Sequence, residues 1–279
     1  MAQNAPMTRY RDEAVAVYEQ EKSVFAMGST TVFQRMGDGS TITFLTAGSG
    51  SATATTRGLN GLIPARADAL TQLSGTLVEY HDLVERTGFN IFESQGDARQ
   101  IMLRTSPGVI HRKLDDILIT ALSAGTQEVG ASGSSPTANV KMFMEARAKL
   151  GEADVDVTRD VYCAITPRAM GWMMQMTEFA SKDYVNFSPF AGKKMMGFNW
   201  AGINFFESNR LSGRATANEK LLMWHKSAMG YAAESLDVQM FTGHDEKQDL
   251  YWTRTSAKAC AKLLQNTGIV VLYHDGLAT

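Results

Sequence analysis

Residues 187–211 read FSPFAGKKMMGFNWAGINFFESNRL, with three glycines, five phenylalanines and the step Gly192-Lys193-Lys194. A phosphate-cradling loop needs Gly-x-x-x-x-Gly-Lys-Ser/Thr after a strand, because backbone amides and a helix N-terminus must surround the anion. Phe187 stands where the first glycine belongs, and Lys194 stands where the hydroxyl belongs. The stretch is therefore read as an exposed Lys193-Lys194 turn followed by strands, on which Met195, Phe198, Trp200, Ile203, Phe205 and Phe206 pack. That turns the expectation away from a nucleotide enzyme and towards buried β-structure.

The totals agree with a packed protein. The chain has 279 residues, 44% hydrophobic and 20% charged, which suits one large domain or two modest ones and excludes global disorder. A formal net charge of -2 leaves no footprint for sequence-independent nucleic-acid binding. Cys163 and Cys260 lie far apart with no second cysteine at metal-ligand spacing, which suits a reduced, intracellular setting. The start, MAQNAPMTRYRDEAV, lacks the apolar run of a secretory leader, and no window approaches 18 apolar residues. A soluble protein, or part of a soluble assembly, is expected.

Upstream of the opening stretch the composition is uneven. From Thr8 to Phe25, apolar residues interrupt charges without a helical period, which reads as an arm with one or two helical turns. Its apolar residues need a surface, either on the same domain or on a neighbouring subunit. TVFQRM and TITFLTA are β-rich and flank the turn chemistry of Gly37-Asp38-Gly39-Ser40; a small, polar segment, GSGSATATTRGLNG, follows. GTLVEYHDLVERTG then alternates as a strand. About fifty residues with so little apolar content suggest a two-stranded extension, and such a ribbon is marginal in water unless it leans on something.

Helices come next. Ser106 is placed as an N-cap with Pro107 at the first helical position, and Ile110, Leu114, Ile117, Leu118 and Ala121 form one face. GDARQIMLR is also helix-compatible, so one long helix through Pro107 is the alternative. A flexible loop leads to a helix near Ala138–Leu150, closed by Gly151. In the second half RDVYCAI, GINFFES, KLLMW, SAMGYAAE, VQMF, DLYW and GIVVLY are read as strands and PRAMGWMMQMTEFAS as a Met-rich helix. SAKACAKLLQN is placed as a helix capped by Thr255 or Ser256 and ending at Gly268. The class is α+β, with no internal repeat.

Catalytic constellations are missing from this pattern. His81, His111, His225, His244 and His274 form no HxxxH or HExxH spacing. Asp245, Glu246 and Asp249 beside His244 lack the mid-loop glycine and closing glutamate of a calcium loop, so a solvated turn is expected. Gly48-Ser49-Gly50-Ser51 has no strand–turn–helix context for a nucleophile, and the adjacent Asp115 and Asp116 point about 100° apart on a helix. Eight of the sixteen methionines lie between Met142 and Met196 and are read as core filler. No catalytic residue, cofactor or metal site is assigned.

The ordered set TLVEYHDLVERTG, HRKLDDILITALSAG, SKDYVNF with GKKMMGFNWAGINFFESNRL, LMWHKSAMGYA and GIVVLYHDG resembles the major capsid proteins of tailed double-stranded DNA bacteriophages, the fold typified by phage Hong Kong 97. The resemblance spans roughly Gly75 to Gly276. It implies an N-terminal arm over 1–35 and an extended loop over 36–80. It further implies a peripheral domain with a long spine helix over 81–157 and 235–279, and an axial domain over 158–234. It implies a virion protein, assembled in the host cytoplasm, that forms hexamers and pentamers of an icosahedral shell around packaged DNA. Portal, scaffolding and decoration proteins are the implied partners, with weak non-specific DNA contact and no membrane. A protein-cargo shell of the same fold, an encapsulin, is the alternative.

Two departures from the family bear on stability. Some members crosslink through a lysine in the extended loop, whereas no lysine lies between Lys22 and Lys113 here, so non-covalent burial is expected to hold the shell. No long charged helical extension precedes the arm, which favours a separate scaffolding protein, a removed propeptide being the alternative. Arg57 and Arg66 are the candidate intersubunit contacts, as ribbon-to-neighbour ion pairs. Ala47–Gly58 and Gly125–Thr137 are the expected points of adaptation between rings.

Overall fold

The computed structural model describes residues 23–33, 39–48, 53–57, 60, 61, 63, 65, 69–93, 98–130, 137–180, 198–234 and 239–277. With elements numbered in chain order, the larger sheet has six strands. They run β5 (Gln127–Val129), β13 (Ile269–His274), β9 (Glu219–His225), β6 (Val161–Ile165), β8 (Ile203–Glu207) and β7 (Phe198–Trp200). A five-stranded sheet runs β1 (Thr30–Phe33), β10 (Met229–Ala233), β12 (Leu250–Leu263) and β11 (Gln239–Asp245), with β4 (Val78–Thr87) on the other side of β12. The strands β2 (Thr41–Gly48) and β3 (Ala69–Thr76) form an antiparallel ribbon. The described residues also hold five α-helices, α1 (Gly88–Glu93), α2 (Ala98–Leu122), α3 (Val140–Glu152), α4 (Pro167–Gln175) and α5 (Thr177–Ala180), and three short 3-10 turns.

The elements stack in layers, and strand alternation explains why. A strand covered on both faces needs apolar residues at every position, and IVVLYH of β13 is buried throughout. Val270 and Leu272, with Leu221, Met223, Cys163 and Phe205, point towards α3 and α4, where Phe143, Leu150 and Met173 meet them. Ile269, Val271 and Tyr273, with Leu222 and Trp224, point the other way, onto α2. The α2 face Ile110, Leu114, Leu118 and Leu122 also packs on Met229, Tyr231 and Ala259 of the five-stranded sheet. Helix α2 is thus shared between two sheets. Beyond the five-stranded sheet a small third core joins Ile42 and Phe44 to Ala232 and Cys260.

Four sequence expectations are corrected. Ser106 is not an N-cap: α2 starts eight residues earlier and runs on through Pro107. The Ser106 hydroxyl, which a local reading offers to the helix start, donates instead to Asp82 of β4 and accepts from the Thr255 hydroxyl of β12. The segment 255–268 is not an α-helix: residues 255–263 belong to the 14-residue β12, and a single 3-10 turn at Asn266–Gly268 follows. Alanine and lysine favour a helix locally, yet β4 pairs along one side of β12 while β11 and then β10 pair along the other, and these ladders decide. Ala257, Ala259 and Ala261 lie on the face towards α2, where small side chains let the helix approach.

Thirdly, β1 and β2, which come before and after the turn chemistry, do not pair with each other, since β1 pairs with β10 and β2 with β3. Gly39 and Ser40 instead lead into a different sheet. Fourthly, the Met-rich helix is two pieces: α4, capped by Thr166 with Pro167 in its first turn, breaks at the extended Met176 before α5. The second helix passes Gly151 and ends at Glu152, from an Asn139 cap whose side chain accepts the Met142 amide.

Candidate assembly surface

The ribbon divides into two unlike halves. Its register runs from Thr41 opposite Thr76 to Gly48 opposite Ala69. Near the sheet, Ile42 and Phe44 are buried against Ala232 and Cys260, with Leu77 and Leu264 at the margin. The seat requires missing side chains below it: a Cβ on Gly230 would lie 2.9 Å from the Phe44 ring, and one on Gly75 would lie 3.0 Å from Cys260 Sγ. Past this base the chain turns its apolar residues outwards, with Leu45 62%, Leu70 58% and Ile63 66% exposed. Covering any one of them would contribute about 1.5–3 kcal/mol.

The end of the N-terminal segment is held differently. Asp115, buried on α2, accepts from the Ser23 hydroxyl and from the backbone amides of Val24 and Phe25. Phe25 is buried between Phe206, edge-on at 5.1 Å between ring centroids, and Trp224, stacked at 5.9 Å. Trp224 Nε1 donates to the Gly28 carbonyl at 2.6 Å, and a Cβ on Gly28 would lie 2.8 Å from the indole. For residues 23–28 the covering surface is therefore the chain's own body. Residues 8–22 of the expected arm lie outside the described residues. The neighbouring Asp116 faces another way and takes a two-pronged pair from Arg210, at 3.1 and 2.6 Å. The adjacent acids thus hold two separate segments to α2, an architectural use.

The face of the five-stranded sheet opposite α2 is open beyond the ribbon base. Leu83, Arg254 and Phe241 sit in register across β4, β12 and β11, and the Arg254 guanidinium lies 5.2 Å from the Phe241 ring centroid. Next in the row, Trp252 lies over Gly243, where a Cβ would meet the indole at 2.4 Å. Leu83, Phe241 and, on α1, Phe89 are all exposed. A cationic and aromatic surface thus lies on this open face, towards the Leu250 end of β12.

Of the two candidate contacts, Arg57 is exposed in the connection between β2 and β3, and Arg66 lies outside the described residues. So do Met195 and the Lys193-Lys194 turn, while Phe198 and Trp200 fall on β7 and Ile203, Phe205 and Phe206 on β8. The stretch Asp245–Asp249 closes the β11–β12 hairpin. His244, expected in a loop, belongs to β11, 3.1 Å from Asp249 and packed on Tyr251. His225 ends β9 and accepts the Ser227 amide. No group of three or more metal-ligating side chains occurs among the described residues. No described helix is long and apolar enough to cross a membrane.

Titratable groups in the core are tuned by burial rather than for chemistry. Burial pushes the Cys163 thiol far up and the Cys260 thiol up, and neither forms a disulfide. Tyr231 is pushed up to about 12, first by burial and then by the charge of Asp115. The exposed Asp156 is held down at about 2 by hydrogen bonds from Thr158 and Arg159. None of these is an acid, base or nucleophile poised near neutrality. What sequence reasoning missed is the Phe44 seat and the Asp115 anchor, since both join residues remote in the chain. Gly230 inside an apolar strand is the visible trace of the first.

The sequence matches the model of a family described as phage capsid protein over residues 2–275. No curated protein is similar in sequence. Among solved structures, one from Mycobacterium phage Che8 is similar at 17% identity and a TM-score of 0.71, covering 97% of this chain and 98% of that one. A capsid structure of the cyanophage P-SCSP1u gives 13% identity and a TM-score of 0.72, over 95% and 91%. The capsid of Ralstonia phage GP4 gives 10% and 0.65, over 99% and 97%. At such identities the likeness concerns the fold, and it extends over nearly the whole length of each chain.

Proposed function

The chain belongs to the phage capsid protein family, with the α+β fold typified by phage Hong Kong 97, and from that premise we propose that it closes hexamers and pentamers into an icosahedral shell around packaged double-stranded DNA. Its role is structural, as a subunit of the virion capsid, and not enzymatic. The observation that carries the finer reading is the outward half of the ribbon. Leu45, Leu70 and Ile63 are exposed on an element that a single chain cannot bury, and only a second copy supplies cover at every ribbon at once.

The proposed anatomy follows the arm (1–35), the extended loop (36–80), a peripheral domain (81–157 and 235–279) and an axial domain (158–234). On this division β5 and β13 are peripheral and β9 is axial, and all three belong to one six-stranded sheet. Arg57 and Arg66 are proposed as ribbon-to-neighbour ion pairs. Burial without a crosslink holds the shell, because no lysine occurs between Lys22 and Lys113. Assembly occurs in the host cytoplasm with a portal and a separate scaffolding protein, decoration proteins adding to the outside, and DNA contact is weak and non-specific given a net charge of -2.

Electron microscopy and sedimentation of the purified full-length chain, alone and with its genomic neighbours, test this reading. Rings or uniform polyhedral particles with nucleic acid inside are expected. Particles that enclose protein instead would favour the encapsulin alternative, and a small oligomer under every condition would overturn both.

A further inference from the structure

His274, the last residue of β13, stands opposite Glu219, the first of β9, and both are fully buried. His274 Nε2 lies 4.0 Å from Glu219 Oε2. The carboxylate also accepts from the Thr166 hydroxyl at 2.5 Å and from the Ala215 amide at 2.7 Å. On the other side of the ring, Nδ1 accepts the backbone N–H of Ala138 at 2.8 Å, across 136 residues of sequence. A donor aimed at Nδ1 needs a lone pair there, which assigns the ring proton to Nε2, on the side of Glu219. Ala138 directly precedes Asn139, the N-cap of α3. One imidazole therefore ties the last strand to the start of a helix.

The other charged groups nearby are engaged elsewhere. Arg168 of α4 donates to the Gly276 carbonyl, and Asp275 accepts the Leu277 amide. Lys220 and Glu128 both meet Tyr273, one residue back and on the other face of the strand, while Lys141 of α3 is exposed. Among these groups Glu219 faces the ring, with Oε2 on the Nε2 side. Packing allows no slack around it, since a Cβ on Gly276 would lie 2.4 Å from its carboxylate.

We propose that His274 is an acid-released latch on α3. A proton taken from solvent onto Nδ1 sets two N–H groups head-on across the 2.8 Å contact, so Ala138 must leave. The resulting imidazolium keeps its place through Glu219. The freed segment carries the Asn139 cap with it and loosens the first turn of α3, which packs on the six-stranded sheet through Met142 and Phe143.

Hydrogen exchange of the full-length chain tests the latch, following amides 138–143 against those of β9, with rates corrected for the intrinsic effect of pH. Between about pH 8 and about pH 5, protection at the start of α3 is expected to fall about tenfold or more while β9 holds. His274→Asn keeps an acceptor oxygen near the Nδ1 position but cannot take up a proton, and is expected to flatten the response. Wild-type protection unchanged at the acid end, or the same loss in His274→Asn, would overturn the proposal. If that variant does not fold, Glu219→Gln decides: release shifted to lower pH supports the latch, and an unmoved midpoint rejects it.

Discussion

The two halves of the β2–β3 ribbon share one hydrogen-bonded ladder and opposite fates. At the base, Ile42 and Phe44 press into a seat on the chain's own sheet. Farther out, Leu45 and Leu70 face solvent. The same backbone pairing is thus stabilised by the folded body at one end and awaits another surface at the other. Ladder hydrogen bonds alone do not hold a two-stranded ribbon in water, so side-chain cover must be found at both ends. The contrast separates what folding completes from what assembly completes.

Substitutions can break that contrast. The largest effect is expected from Phe44→Ala, about 3–5 kcal/mol of lost stability in the dilute, unassembled chain, read by denaturant unfolding. A loss under about 1 kcal/mol would mean that the seat is not formed before assembly. Next comes Asp115→Ala, which strands the half-buried Val24 amide and the buried Phe25 amide; about 2–3 kcal/mol is expected, with early exposure of residues 23–28 to protease. Gly230→Val should follow at about 1–3 kcal/mol, by pushing Phe44 off its seat, seen as faster exchange in β2 with β13 unchanged.

Outward changes sharpen the comparison from the other side. The double variant Leu45→Ser and Leu70→Ser should leave the isolated chain within about 0.5 kcal/mol of wild type while raising the concentration needed to form particles. Equal loss of stability in the monomer would erase the distinction between the halves. The smallest effect expected is acid titration at Asp156. Its carboxyl lies near 2 against an ordinary 3.8, so its contribution is present above the ordinary value and is lost as pH falls through about 2. Asp156→Asn should remove that acid limb alone, in a pH series of thermal unfolding.

Legibility in the sequence followed the range of the interactions. GIVVLY and KLLMW were readable as strands because β13 and β9 are covered on both faces and carry apolar residues nearly throughout. The ribbon was readable from what it lacks. β12 was not, because Ala-Lys-Ala-Cys-Ala-Lys favours a helix until three other strands supply its ladders. Ser106-Pro107 misled for a similar reason: its local chemistry is that of a helix start, and the partners that override it, Asp82 and Thr255, lie 24 and 149 residues away. Asp115 carries no mark of its role, since its partners are the backbone amides of another segment. β3, with its Thr, Gln and Ser, is polar enough to pass for loop.

The long strand β12 has a mechanical corollary. At about 3.4 Å per residue its 14 residues make a spar of roughly 45 Å, gripped by β4 along most of one side. One end, at Cys260, supports the ribbon; the other, at Leu250, carries the hairpin tip. A swing of about 5° at one end displaces the opposite tip by about 4 Å, so a load on the ribbon is felt at the far corner of the molecule without any bond being broken.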